Sequence, residues 1–378
     1  MNNTKFHFAT RLTALVSVLA MSVGLAACGD NVGPVDSSNA PSSHGSKISG
    51  EFHGAGASSQ QSAVEAWIAT YQSRNRNVKI AYNPSGSGAG VSTFLTGAIA
   101  WAGTDAPLDD QQVAQSQSIC ASGTAFDVPV YISPIAVMFN LKGISGTDKH
   151  LNMDAATIAK IFDGKITNWN DEEIKEQNPK VNLPNEAITI VHRSDKSGTT
   201  KNFTDYLKST APDDWQHDPQ ENWPNDVGQA AKGTDGVISS IAQANGTIGY
   251  ADAAKAGNLG TVSVKVGSDY VAYTPEAASA VVNSSPVRQM PKGSKRVVVD
   301  VDYQTQAKGA YPLVSVSYAV ACPAYKDAPT GRFVNSWLSY LVSSNGQKTA
   351  ADNTGSASMG GELAQKAAKS IATIQAKD

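Results

Sequence analysis

Three times along this chain a strand-like run feeds a turn of glycine and small hydroxyl residues, and the turn opens a helix-like pattern. Ile188-Thr189-Ile190-Val191 leads into Arg193-Ser194-Asp195-Lys196-Ser197-Gly198-Thr199-Thr200, after which Phe203, Tyr206 and Leu207 share one helical face. Val78-Lys79-Ile80-Ala81-Tyr82 leads into Asn83-Pro84-Ser85-Gly86-Ser87-Gly88-Ala89-Gly90, then Val91, Phe94 and Leu95. Gly54-Ala55-Gly56-Ala57-Ser58-Ser59 precedes a pattern carrying Ala63, Trp67, Ile68 and Tyr71. Strand-like runs alternating with helix-like ones favour α/β layers. The first N–H groups of a helix lack internal partners and carry the positive end of its dipole. Gly198 lets a ligand approach the backbone. Ser197, Thr199 and Thr200 add hydroxyl donors, and Arg193 offers a bidentate guanidinium fork. Each turn alone is an ordinary capped helix start. Three converging would make a site for one small oxyanion. Gly86-Ser87-Gly88-Ala89-Gly90 is too short for G-x-G-x-x-G, and Gly54-Ala55-Gly56 meets Ser59 where the last glycine belongs. No G-x-x-x-x-G-K-[ST] occurs, so nucleotide binding is not expected.

The N-terminus reads as a secretory signal, residues 1–27. Lys5 and Arg11 precede a mostly apolar run, Leu12 to Ala27, too short for a membrane span. The run ends Leu25-Ala26-Ala27-Cys28-Gly29, similar to a bacterial lipobox, in which Cys28 would be lipidated. Residues 28–49 are rich in Asn, Pro, Ser and Gly and read as a flexible tether. Such a chain would sit outside the cytoplasmic membrane and stay attached to it.

Loss of Lys5 and Arg11 takes the 30 basic residues to 28, against 33 acidic ones, a net charge of −5. A mildly acidic chain without a basic block is a poor nucleic-acid binder. Any bound anion must be captured by dipoles and one or two placed cations. Besides Cys28 there are Cys120 and Cys322. In an exported protein they suggest one disulfide; two buried thiols are the alternative. Neither H-E-x-x-H nor C-x-x-C occurs, so no metal and no cofactor is expected.

Roughly 330 residues follow the tether, more than one core usually holds, so two domains are expected. A helix capped by Asp154 runs to Phe162, and Val314, Val316, Tyr318 and Val320 mark a strand. Phe333, Val334, Trp337, Leu338 and Leu341 mark a helix; Leu363, Ala367, Ile371 and Ile374 mark a weaker one. From about 253 to 309 the pattern is loose. Trp67, Trp101, Trp169 and Trp337 read as core rather than ligand platforms.

Six blocks, in order, resemble the phosphate-binding proteins of bacterial high-affinity phosphate ABC importers. They are Gly54-Ala55-Gly56-Ala57-Ser58, Ser87-Gly88-Ala89-Gly90-Val91, Gly103-Thr104-Asp105-Ala106-Pro107-Leu108 and Gly164-Lys165-Ile166-Thr167-Asn168-Trp169-Asn170-Asp171. Arg193 to Thr199 and Ile248-Gly249-Tyr250 complete the set. The lipobox is similar to that of lipoprotein members from Gram-positive bacteria. The resemblance implies an α/β, two-lobed periplasmic-binding-protein fold, type II-like, with two crossover strands and the ligand in the cleft. Lobe I would be residues 50–132 plus 310–378 and lobe II residues 133–309, with crossings near Val130-Tyr131-Ile132 and Tyr311-Pro312-Leu313. Cys120 and Cys322 would then share a lobe.

By the same resemblance Ser58 and Ser87 are hydroxyl ligands and Asp105 is the single carboxylate. Arg193 is the cation, and Ser197, Gly198 and Thr199 are helix-start donors. Asp195 supports the arginine. The family pattern has an aromatic where this chain has Ser59, at a position that implies a backbone N–H donor. Phosphate at neutral pH keeps at least one proton and sulfate keeps none, so Asp105 would accept a hydrogen bond from the former and repel the latter. The implied partners are inorganic phosphate, a phosphate ABC permease and, through the lipid, the membrane; the protein would be a monomer that captures and delivers. A phosphatase-like enzyme using Ser87 or Ser197, and a sensor or adhesin on the same fold, are the alternatives. No base for either serine and no G-x-S-x-G elbow is visible.

Overall fold

The computed structural model describes residues 48–376. The signal segment, Cys28 and all of the tether but Ile48 and Ser49 lie outside the described residues. An 11-stranded mixed sheet organises the chain. Its strands are β1 (Gly50–Gly56), β2 (Val78–Asn83), β3 (Trp101–Thr104), β4 (Phe126–Asn140), β5 (His150–Met153) and β6 (Thr189–Arg193). They continue with β7 (Gln229–Ala231), β8 (Thr247–Asp252), β9 (Gly260–Val266), β10 (Asp269–Val271) and β11 (Val314–Ala321). The order is β2-β1-β3-β11-β4-β8-β6-β7, with β9 joining β4 to β5 and β10.

β4 holds the two halves together. Its 15 residues are buried except the last, so both faces are covered and the sequence runs apolar almost without alternation. From Phe126 to Pro134 it pairs antiparallel with β11; from Ile135 to Asn140 it pairs with β8. Proline has no N–H for a ladder, so Pro134 stands where one set of partners ends and the next begins. The return passage is Ala310–Leu313, where Tyr311 donates to Ile135 O at 2.8 Å.

Parallel strands within each half are linked by helices, and four of these strands lead directly into one. Gln61–Arg74 follows β1, Ser87–Leu95 follows β2, Gly198–Thr210 follows β6 and Gly233–Gln243 follows β7. Ala155–Phe162 is a helix, with Asp154 accepting from Thr157 N. Ala328–Val342 and Gly361–Ile371 are helices that pack on each other, and Ile374 is buried just past the second. Trp67, Trp101, Trp169 and Trp337 are buried in the core. The Sγ atoms of Cys120 and Cys322 are 2.02 Å apart, a disulfide within the half built on β1–β3 and β11.

The segment 286–301 departs from the expected lobe II. It is a strap lying against the first half. Arg296 pairs with the buried Asp127 of β4 through Nε at 2.6 Å and Nη2 at 2.8 Å, and also donates to Leu108 O. Val297 N donates to Asp127 O, Val299 N to the Tyr318 hydroxyl, and Ser370 Oγ to Lys295 O. The reason is Asp127: a carboxylate buried in the shared strand needs a cation, and the strap brings one.

Candidate functional site

Four helix starts and one strand–turn meet where β4 passes between the halves. The contacts are short enough that only glycine fits at several points. A Cβ on Gly86 would fall 2.3 Å from Asp195 Oδ2, and one on Gly198 would fall 2.8 Å from Asp105 Cβ. Gly86 N donates to Gly56 O and Gly88 N to Lys196 O, at 2.9 and 3.2 Å. The turns after β1, β2 and β6 thus touch one another, and the turn after β3 carries Asp105 into the same place.

Arg193 ends β6 and is 3% exposed. Its Nε donates to Asp195 Oδ1 at 2.8 Å and its Nη2 to Asp195 Oδ2. A guanidinium has five N–H groups, so three remain after this fork. Burial pushes the Asp195 carboxyl up, but Arg193 and the Gly233 N–H at 3.0 Å outweigh it and hold it below the usual value. Beneath the helix start, Tyr250 stacks on Phe203, with centroids 4.2 Å apart, and its hydroxyl meets Thr200 Oγ1 at 2.6 Å.

The hydroxyls fall into two groups. Ser58, Ser87 and Ser197 each accept a backbone N–H: from Thr234 at 3.0 Å, Asp105 at 3.2 Å and Thr200 at 3.2 Å. That leaves the protons of Ser87 and Ser197 to donate elsewhere, while Ser58 Oγ also lies 3.0 Å from Thr234 Oγ1, where either hydroxyl can be the donor. Ser59, Thr199 and Ser317 instead donate to the Asp105 carboxylate, at 2.6, 2.8 and 2.5 Å. Asp105 is 1% exposed. The formal charges here are one guanidinium against two carboxylates. An anion would therefore be held by dipoles and N–H groups rather than by net charge.

The structure brings together Ser58, Ser59, Ser87, Asp105, Arg193, Asp195, Ser197, Gly198 and Thr199. It adds Gly233, Thr234, Asn202 and Ser317, which sequence reasoning missed. Gly233-Thr234-Asp235-Gly236 before Val237 and Ile241 carries the same turn signature and was findable. Ser317 had a fainter signal, a serine in a strand buried on both faces. Asn202 donates to Asp105 O at 2.7 Å from inside a helix, and nothing local marks it. Among the described residues no group of His, Cys, Asp and Glu could hold a metal ion, and no helix is long and apolar enough to cross a membrane.

Helix starts, a buried arginine and a buried carboxylate gathered between two halves joined by crossing strands define a solute-binding protein of the two-lobed kind. Residues 41–345 match the PBP superfamily domain. Phosphate-binding protein PstS 2 of Mycobacterium tuberculosis is 34% identical over 344 residues, 88% of this chain and 90% of its own length. Phosphate-binding protein PstS 3 of Mycobacterium leprae is 32% identical over 349 residues, 90% of this chain and 92% of its own. A high-affinity periplasmic phosphate-binding protein solved with phosphate, PfluDING, superposes with TM-score 0.66 at 18% identity, covering 84% of this chain and 92% of its own. The phosphate-binding protein of Stenotrophomonas maltophilia gives 0.61 at 16%, covering 85% and 94%. The chain belongs to the PstS family of phosphate-binding proteins.

Proposed function

We propose that this protein captures inorganic phosphate outside the cytoplasmic membrane and hands it to an ABC permease, tethered by a lipid on Cys28. One observation carries the reading: a buried arginine fork and a single buried carboxylate face the same three helix starts. The ligands are Ser58, Ser87 and Ser197 through their hydroxyls, the N–H groups of Ser59, Gly198 and Thr199, the free N–H groups of Arg193, and Asp105. Asp105 accepts a hydrogen bond from the O–H that phosphate retains near neutral pH. The lobes are residues up to Pro134 with the return from Ala310, and the insert between them, less the strap. Neither Ser87 nor Ser197 bonds a histidine or carboxylate among the described residues, and the relatives' names are those of binding proteins, so the phosphatase alternative gains no support.

The test is retention. Protein stripped of ligand by unfolding and refolded should hold one radiolabelled phosphate per chain in equilibrium dialysis; no retention contradicts the proposal. Cys28→Ser should leave protein unprocessed or released to the medium. Unchanged mass and unchanged membrane fractionation of that variant would refute the anchor alone.

A further inference from the structure

Asp105 receives three side-chain hydrogen bonds from three separate elements. Ser59 in the turn after β1 and Thr199 at the helix start after β6 donate to Oδ2; Ser317 in β11 donates to Oδ1. An ionised carboxylate has about four lone-pair positions. Three are filled by protein, which leaves one, on Oδ1. The donors belong to a turn, a helix and a strand that cannot rotate together, so the carboxylate plane is fixed by both halves. Asp105 O is also held by Asn202, and Asp105 N by Ser87.

We propose that Ser59 and Ser317 are positioning residues that set the anion selectivity, by holding the one open acceptor position of Asp105 toward the ligand. The inference rests on the phosphate reading above. A protonated oxyanion completes the carboxylate's set with one hydrogen bond. An unprotonated one meets a lone pair that cannot turn away, and that repulsion discriminates. Deleting a hydroxyl lets the carboxylate rotate and makes room for a water. Such a water can donate one hydrogen to Asp105 and the other to an unprotonated anion oxygen, which removes the penalty. Ser59 stands where the best-known family pattern has an aromatic, a side chain that could not make this bond.

Phosphate and sulfate titrated calorimetrically into the parent, Ser59→Ala, Ser317→Ala and Ser59→Thr, at one pH and ionic strength, test the idea. The phosphate-to-sulfate affinity ratio should fall roughly tenfold or more in each alanine variant, the scale of one charge-assisted hydrogen bond. Phosphate should weaken and sulfate should not. Ser59→Thr keeps the hydroxyl and should keep the parent ratio. Equal weakening of both anions, an unchanged ratio in the alanine variants, or a threonine variant as unselective as alanine would each overturn it. Ser317 is fully buried; if its variant does not fold, Ser59→Ala decides. A parent that binds neither anion sinks the phosphate reading itself. A selective parent with equally selective alanine variants sinks this inference alone.

Discussion

At Arg193 the charge matters less than its shape. Two of five N–H groups are fixed on Asp195, and the plane they define aims the rest. Lysine keeps the charge but offers a mobile point donor. Arg193→Lys should therefore weaken phosphate binding by about ten- to a hundredfold, or roughly 1.5–3 kcal/mol. Asp195→Ala should weaken it less, since it frees the arginine without removing it. Titration of both variants beside the parent checks this; parent-like affinity in both would mean that Arg193 does not touch the anion. Arg193 and Asp195 were legible because they sit in one short motif. The hydroxyl of Ser59 was not. It was read as marking an N–H donor, and its bond to a carboxylate 46 positions away depends on how the sheet brings β1 and β3 together.

The glycine-rich turns are shaped by what presses on them. Gly86 has φ +101°, and a side chain there would strike Asp195. Gly97 also has positive φ, +78°, but its nearest neighbour would be Ile119 at 3.7 Å. Alanine at either position strains the backbone by roughly 1–2 kcal/mol. Both Gly86→Ala and Gly97→Ala should lower Tm, but only the former should also lower phosphate affinity, by tenfold or more, because it displaces the arginine's partner. Equal affinities in the two variants would contradict the account. The strand–turn–helix units were readable from composition and period. The strap 286–301 was not, because its only ladder contact is the bridge Val287–Val299, and its other ties have no period of 2 or 3.6 to detect.

The two halves are joined through β4 and the return passage, and an acid is buried at the join. Asp252 pairs with Ile135, where β4 changes partners, and accepts from the Tyr131 hydroxyl and Ala254 N. Burial, with Asp105 nearby as a second negative charge, pushes its pKa up to about 7 from 3.8. The folded protein thus holds this proton more tightly than the unfolded chain does. The contribution of Asp252 to stability is flat below the unfolded value, falls as pH rises from about 4 to about 7, and is flat again above, a loss on the order of a few kcal/mol. Asp252→Asn should raise Tm at pH 8 relative to the parent more than at pH 5; an equal change at both would refute the assignment. The two-lobed architecture was legible through the ordered motifs, while the charge buried at the join needed the register of β4 against β8. What the site claims above all is discrimination by a proton. Competition calorimetry on stripped protein, phosphate against sulfate at neutral pH, addresses that claim directly. The account predicts sulfate weaker by at least ~100-fold, the scale of one unpaired buried charge contact; equal affinity for the two anions would contradict it.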